Sequence, residues 1–113
     1  MKNSVLYQPG HKVTFKASDN LLPYRFIGYN GSHCTAGSKS LGVTERKWAT
    51  NKNASVVILG TVPVEAVGSI AVGDNLASDA QGRAVVATSG AAVNARALEA
   101  TANGGIIKVL LVP

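Results

Sequence analysis

Cysteine, aromatic side chains and charge are all scarce in this sequence, and each scarcity removes possibilities. The one cysteine, Cys34, cannot close an internal disulfide. The fold must be held by its core instead, which suits folding in a reducing cytoplasm. At 113 residues the chain can do this as one domain, because a chain of that size buries about two-thirds of the surface it exposes when unfolded. Aromatic residues make up 5% of the chain, a lean supply for stacking nucleic-acid bases. Charged residues make up 15%, against about 25% in a typical soluble domain. So thinly charged a surface is expected to be partly covered by another molecule, a copy of the chain among the candidates. No apolar run approaches the roughly 20 residues of a membrane-spanning helix. The opening MKNSVLYQPG has no apolar core of the kind a secretion signal needs, so no export leader and no membrane partner are expected.

What is present is Val, Ala, Leu and Ile, with 12 glycines between them. β-Branched residues broken by glycines read as short strands joined by tight turns. Turn signals recur at Pro9-Gly10, Asp19-Asn20, Asn30-Gly31, Asn51-Lys52-Asn53, Gly73-Asp74, Gln81-Gly82, Ser89-Gly90 and Asn103-Gly104-Gly105, the rhythm of a sandwich or barrel. The strands expected between them cover about residues 12–17, 24–29, 40–45, 54–60, 61–67, 75–78, 83–88 and 106–112. The fold class is therefore all-β, a small single-domain β-barrel or β-sandwich spanning 1–113, with residues 1–20 available as an extended N-terminal arm. Val56 to Leu59 is a continuous apolar run, as in a strand buried on both faces. Pro63 removes a ladder donor and is expected at an edge, a bulge or a strand junction. One segment argues the other way: Ala91 to Ala100, AAVNARALEA, is built of helix formers and has the local propensity of a short helix.

Four groups of residues invite a chemical reading. Gly31-Ser32-His33-Cys34-Thr35-Ala36-Gly37-Ser38-Lys39-Ser40 looks like a phosphate loop. That loop needs four residues between its glycines and Lys directly after the second. Here five intervene and Ser38 separates Gly37 from Lys39, which displaces the ammonium from the backbone nest. His11, His33 and Cys34 lack the paired spacing of a zinc site. His33 and Cys34 are adjacent, so on a strand they point to opposite faces and do not form a nucleophile and base. Asp74 and Asp79 stand in turn contexts, where Asp usually caps its own backbone. No enzyme, metal or cofactor is expected from these residues.

The net charge of +5 is lopsided. Residues 1–56 carry eight cations against Asp19 and Glu45, a balance of +6, while 57–113 carry three cations against four acids, a balance of −1. A basic half suits nucleic acid or an acidic protein surface. Tyr24, Arg25, Phe26 and Tyr29, with Arg46, Lys47 and Trp48, interleave aromatic and basic residues, as single-strand binders on small barrels do. Alternation puts Tyr24 and Phe26 on one face and Arg25 and Ile27 on the other, so the aromatics serve equally as core. A small basic β-barrel that binds single-stranded nucleic acid is thus the alternative reading, and the less favoured one.

The second half carries a more specific pattern. Gly60-Thr61-Val62-Pro63-Val64-Glu65-Ala66 is followed by Gly68-Ser69-Ile70-Ala71-Val72-Gly73-Asp74-Asn75-Leu76. Then come Ser78 to Val85, Ala87 to Gly90, Ala95 to Ala100, a glycine turn, and Ile106 to Pro113. With Tyr24 to Ile27 and Leu41-Gly42-Val43 upstream, this order over roughly residues 10–113 resembles the phage capsid cement, or decoration, family. Physically, Gly73 suits a positive φ and Asp74 ties the turn, and Asp79-Ala80-Gln81-Gly82 makes a tight hairpin. The resemblance implies a small β-barrel-like domain and strand, not helix, at 94–100. It carries no catalytic residues. It implies a structural virion protein, made in the host cytoplasm, that binds the outside of a tailed-phage capsid and bridges major capsid subunits. The expected partners are the major capsid protein and the chain itself, a homotrimer favoured over a dimer. The expected capsid contact is Arg46, Lys47, Trp48 and Lys52, three cations beside an aromatic anchor.

Overall fold

A computed structural model of the chain describes residues 9–113. Eight strands form in it: β1 (Pro9–Lys16), β2 (Phe26–Ile27), β3 (Gly42–Val43), β4 (Asn53–Ala66), β5 (Asn75–Ser78), β6 (Ala84–Val86), β7 (Ala95–Ala97) and β8 (Gly105–Leu111). No helix occurs among the described residues. The helix formers of 91–100 lie in β7 and its flanks instead. There Ala95 and Ala97 face the core and Arg96 faces solvent, a period-2 pattern that tertiary burial imposes over local propensity.

The strands run in the order β2-β3-β4-β6-β5-β7-β8, with β1 also on β4 and β8 closing back onto β4. The ring β4-β6-β5-β7-β8 is a closed five-stranded barrel. Its one parallel contact is the narrow seam Ala66↔Ala84 between β4 and β6. β1 and β3 flank the first half of β4 and extend the wall beyond the ring. Within the described part of the stretch allowed for a free arm, Pro9–Lys16 is a strand paired to β4 from Pro9↔Gly60 to Lys16↔Asn53. Residues 1–8 lie outside the described residues.

β4 is one strand of 14 residues where two were expected. Gly60 stands between the halves with φ 94°, a conformation that costs glycine nothing and lets the strand bend without ending. Before it, β4 pairs β1; after it, β4 pairs β8 from Thr61↔Leu110 to Ala66↔Gly105. Pro63 sits inside that second ladder, opposite Lys108. Amides two residues apart on a strand point the same way, and the Glu65 N–H donates to the Tyr24 carbonyl on the other side of β4. The donor that Pro63 lacks therefore faces away from β8, and no β4–β8 bond is lost.

Alternation along β4 feeds two cores. Val57, Val62, Val64 and Ala66 enter the barrel with Phe26, Ile70, Leu76, Ile107, Val109 and Leu111. Val56 and Ala54 turn to the opposite face and pack with Ala17, Leu21 and Ile27, against the flanks of Val13, Phe15, Ile58 and Trp48. The continuous apolar run is thus buried on both faces at Val56 and Val57. It does not extend to Leu59, which stays 44% exposed. Leu59 sits opposite His11, where the β1 register shifts, beyond the rim of either core. Ala84, Ala95 and Ala97 line the barrel where strands crowd; a ring of only five strands has room for little else.

The expected turns form by local chemistry. Gly73 takes φ 90° and Asp74 Oδ2 accepts the Ala71 N–H at 2.9 Å. In the β5–β6 hairpin Asp79 Oδ1 accepts the N–H groups of Gln81 and Arg83, and Oδ2 accepts Arg83 Nε at 2.8 Å. Gly82 in that turn is buried against β2: its carbonyl accepts the Phe26 N–H, and an added Cβ would lie 2.5 Å from the Phe26 oxygen. Gly90 also has a positive φ, 87°, but open space around it. Gly90→Ala should therefore cost only the left-handed backbone term, about 1–2 kcal/mol. Gly82→Ala adds a backbone clash and should cost about 2–4 kcal/mol. Urea unfolding of both variants separates the terms; equal costs would mean that the barrel and β2 do not meet at Gly82.

Candidate functional site

The stretch that looks like a phosphate loop is consumed by internal bonds. Buried Asn94 accepts the Ser40 N–H at 3.0 Å and donates Nδ2 to the Ser38 carbonyl at 3.0 Å. Lys39 does not project into solvent. Its ammonium donates to the carbonyls of Val93 at 2.8 Å and Val112 at 2.6 Å, tying the loop to both sides of the barrel end, and burial lowers its pKa. Thr35 and Ser38 hydroxyls bond each other.

His33 forms an isolated bridge with Ile27, and the side chains of His33 and Cys34 diverge. The Cys34 thiol is buried in the barrel core and lies 3.3 Å from the Ser38 carbonyl, which accepts its proton; burial pushes its pKa up, away from a reactive thiolate. His33 turns to the other side, where its Nε2 accepts the Leu22 N–H at 3.1 Å. An accepting Nε2 requires a neutral ring with its proton on Nδ1. Burial lowers the His33 pKa, the nearby Arg25 guanidinium lowers it further, and Asp19 opposes both.

The six acids are engaged by their surroundings. Glu45 pairs Lys12, Glu65 pairs Arg25, Asp79 pairs Arg83 and Glu99 pairs Lys108, while Asp19 and Asp74 accept backbone N–H groups. Among the described residues no three His, Cys, Asp or Glu side chains converge as metal ligands. Of the basic-aromatic set, Phe26 is fully buried in the barrel, and Arg25 is spent on Glu65 and the Gln81 carbonyl. Tyr29 alone among the aromatic residues of that set is broadly exposed, at 74%. Tyr24 leaves the expected alternation because its φ is 62°. It closes the Leu22–Arg25 turn around the buried Thr44 hydroxyl, which donates to the Leu22 carbonyl at 2.7 Å and accepts the Arg25 N–H at 3.3 Å.

The segment 45–52 is different, because it presents side chains outward from a fixed backbone. Trp48 exchanges two backbone hydrogen bonds with Leu21, and Asn20 Oδ1 accepts both the Thr50 N–H and its hydroxyl. The Trp48 ring packs half-buried on the second core, and the Arg46 guanidinium lies over it, 5.1 Å from the ring centre. Lys47 and exposed Leu22 border a shallow hollow floored by Leu21 and Trp48. Lys52 is exposed in the turn at Asn51, beside Lys16, whose strand partner is Asn53. Lys16, Lys47 and Lys52 have no acid partner among the described residues. The structure thus brings Arg46, Lys47 and Trp48 together and puts Lys52 at the far end of the same segment. Leu22 and Lys16 join them, and sequence reading missed both. Leu22 is far off in sequence, and only the β1–β4 register puts Lys16 next to Lys52.

The described residues thus form a closed five-stranded barrel with one cation-bearing loop and with the acids engaged within the fold. Residues 7–112 match the phage cement protein family, and the chain belongs to that family. Its fold is that of the N base of the head fiber protein gp8.5 of bacteriophage phi29, with a TM-score of 0.73 over 90% of this chain and 93% of that one at 23% identity. No curated protein matches the chain. Membership makes it a virion structural protein associated with the phage capsid.

Two outcomes follow from the His33 and Cys34 geometry. His33 is harder to protonate in the folded state than in the unfolded chain, so its contribution is complete above the unfolded value near 6.5. It is lost as pH falls through the lowered folded value. The urea midpoint should drop between pH 7.5 and pH 5 (roughly the span in which histidine titrates). His33→Gln, which keeps an acceptor for the Leu22 N–H, should flatten that drop; an equal drop in the variant would assign the effect elsewhere. Cys34→Ser keeps the bond to Ser38 and should cost about 1 kcal/mol with assembly intact. A loss of assembly in a folded variant would give the thiol a role beyond packing.

Proposed function

We propose that the protein decorates the outer surface of a tailed-phage capsid and stabilises the shell by bridging major capsid subunits, with no catalysed reaction. Family membership supports the capsid, and the phi29 neighbour is itself a head protein. The observation that carries the docking surface is unpaired charge. Lys16, Arg46, Lys47 and Lys52 of the first half stand exposed without an acid partner among the described residues, whereas of the second half's three cations Arg83 and Lys108 are paired in place and only Arg96, bonded to the Gly73 carbonyl, lacks an acid. An acidic shell protein fits these cations, and Trp48 with Leu22 supplies an apolar anchor of the type interfaces concentrate.

Such a protein needs rigidity more than chemistry. Each copy binds a repeating lattice, so modest contacts per copy suffice once copies are linked. Closed symmetry matched to a local axis of the shell favours a homotrimer, with a dimer as the other closed arrangement.

The test adds purified protein to capsids stripped of it. Arg46→Glu/Lys47→Glu reverses two charges at the contact and should weaken attachment by about tenfold or more, equivalent to about 1.4 kcal/mol. Trp48→Ala should weaken it comparably. Wild-type attachment should fall as salt rises, since exposed charges are screened within about 10 Å at 0.1 M ionic strength. Attachment that ignores both variants and salt would rule out this surface.

A further inference from the structure

Leu22 reaches the hollow beside Trp48 from a turn that does not hold itself. Pro23 and Tyr24 are its two central residues, and Tyr24 has φ 62°, a left-handed backbone that an aromatic residue adopts only when its surroundings impose it. Side chains from elsewhere in the fold supply that hold. The buried Thr44 hydroxyl donates to the Leu22 carbonyl at 2.7 Å, and the His33 ring accepts the Leu22 N–H at 3.1 Å. Leu21, one residue earlier, exchanges backbone bonds with Trp48. Both backbone groups of Leu22 are therefore engaged, one by a hydroxyl that does not titrate and the other by a ring that does. His33 is itself fixed from outside the turn. It bridges Ile27 of β2, and a Cβ added to Gly82 of the β5–β6 hairpin would lie 3.5 Å from the His33 Cβ.

We propose that His33 is a positioning residue of the docking hollow: its neutral ring holds Leu22 beside Trp48, and protonation of the ring releases Leu22 and weakens attachment to the shell. The inference rests on the docking reading above and adds to it a dependence on pH. The neutral ring accepts through the lone pair of Nε2. The imidazolium presents an N–H there instead, so a donor faces a donor. The charged groups around the ring fix where the change falls. Arg25 opposes a second positive charge and Asp19 favours one. Glu65 is bound to Arg25, and Asp79 and Arg83 of the hairpin that carries Gly82 pair with each other. Burial adds to the effect of Arg25, so protonation falls below the ordinary histidine value of 6.5. Leu22 is thus held at neutral pH and released in mild acid. The turn then loses an anchor while Tyr24 keeps its left-handed backbone. Leu22, 43% exposed at the edge of the hollow, loses its fixed position.

Nuclear magnetic resonance of the full chain, together with attachment to stripped capsids, tests this. The Leu22 amide resonance should shift with pH along the same curve as the His33 ring. In His33→Gln, which keeps an acceptor, it should stay in place. Wild type should attach as well as His33→Gln at pH 7.5 and about three- to tenfold more weakly at pH 5, the effect of one hydrogen bond. Taking the ratio of the two proteins at each pH removes any titration of the shell itself. His33→Lys, a cation with no acceptor at either pH, should attach at pH 7.5 with the same deficit relative to His33→Gln and with wild-type circular dichroism. A Leu22 amide that ignores the His33 titration, or a ratio that is the same at both pH values, would overturn the inference. Tighter attachment of His33→Lys would overturn it too, because added charge would then outweigh the lost bond. The docking reading is scored apart, by salt and by Trp48→Ala at pH 7.5. If attachment obeys both and the ratio does not change with pH, the role of His33 falls and the docking surface stands. If attachment ignores both, the docking surface is wrong and the inference falls with it.

Discussion

The rest of the structure depends on the two-sided burial of β4. Its first half is sandwiched between the barrel core at Val57 and the second core at Val56. After the bend at Gly60, its second half closes the ring with β8. A fully buried Val side chain is worth about 1.5–3 kcal/mol, and β4 contributes four of them, Val56, Val57, Val62 and Val64. Among the described residues no other strand touches both cores and the closure. The cationic segment 45–52 is fixed because Trp48 packs on the same second core that Val56 fills. The position of that segment is thereby coupled to the barrel.

What the residues revealed in advance was mostly local. The Gly73-Asp74 turn and the Asp79–Gly82 hairpin were legible because a short side chain bonding its own backbone leaves a signature within four residues. Strand positions were legible from alternation. Other features were not, because they depend on partners distant in sequence. Nothing near residue 60 says that β4 continues through Gly60; that follows from β1 and β8 taking successive lengths of it. Nothing near Lys39 says that its ammonium binds Val93 and Val112 at the barrel end. The helix propensity of 91–100 lost because Ala95 and Ala97 gain burial only as a strand.

The site divides the same way. Arg46, Lys47 and Trp48 were legible as a basic-aromatic cluster, and the stack of Arg46 on Trp48 makes it a rigid one. Lys16 and Leu22 were invisible, since register and a bridge to Trp48 bring them there. The competing aromatic platform dissolves because β2 is only two residues long and buried on both faces. Phe26 and Ile27 go to different cores, and Tyr24 departs from the alternation to wrap a turn around Thr44. The fold therefore separates two surfaces: a cationic loop and a barrel end closed by Lys39 and Asn94.

The most direct measurement is an electron cryomicroscopy map of the decorated capsid at a resolution that traces β-strands. The barrel should stand on the outer surface, with residues 45–52 against the shell. A barrel docked with that loop in solvent, or a shell that carries no such barrel, would contradict the account.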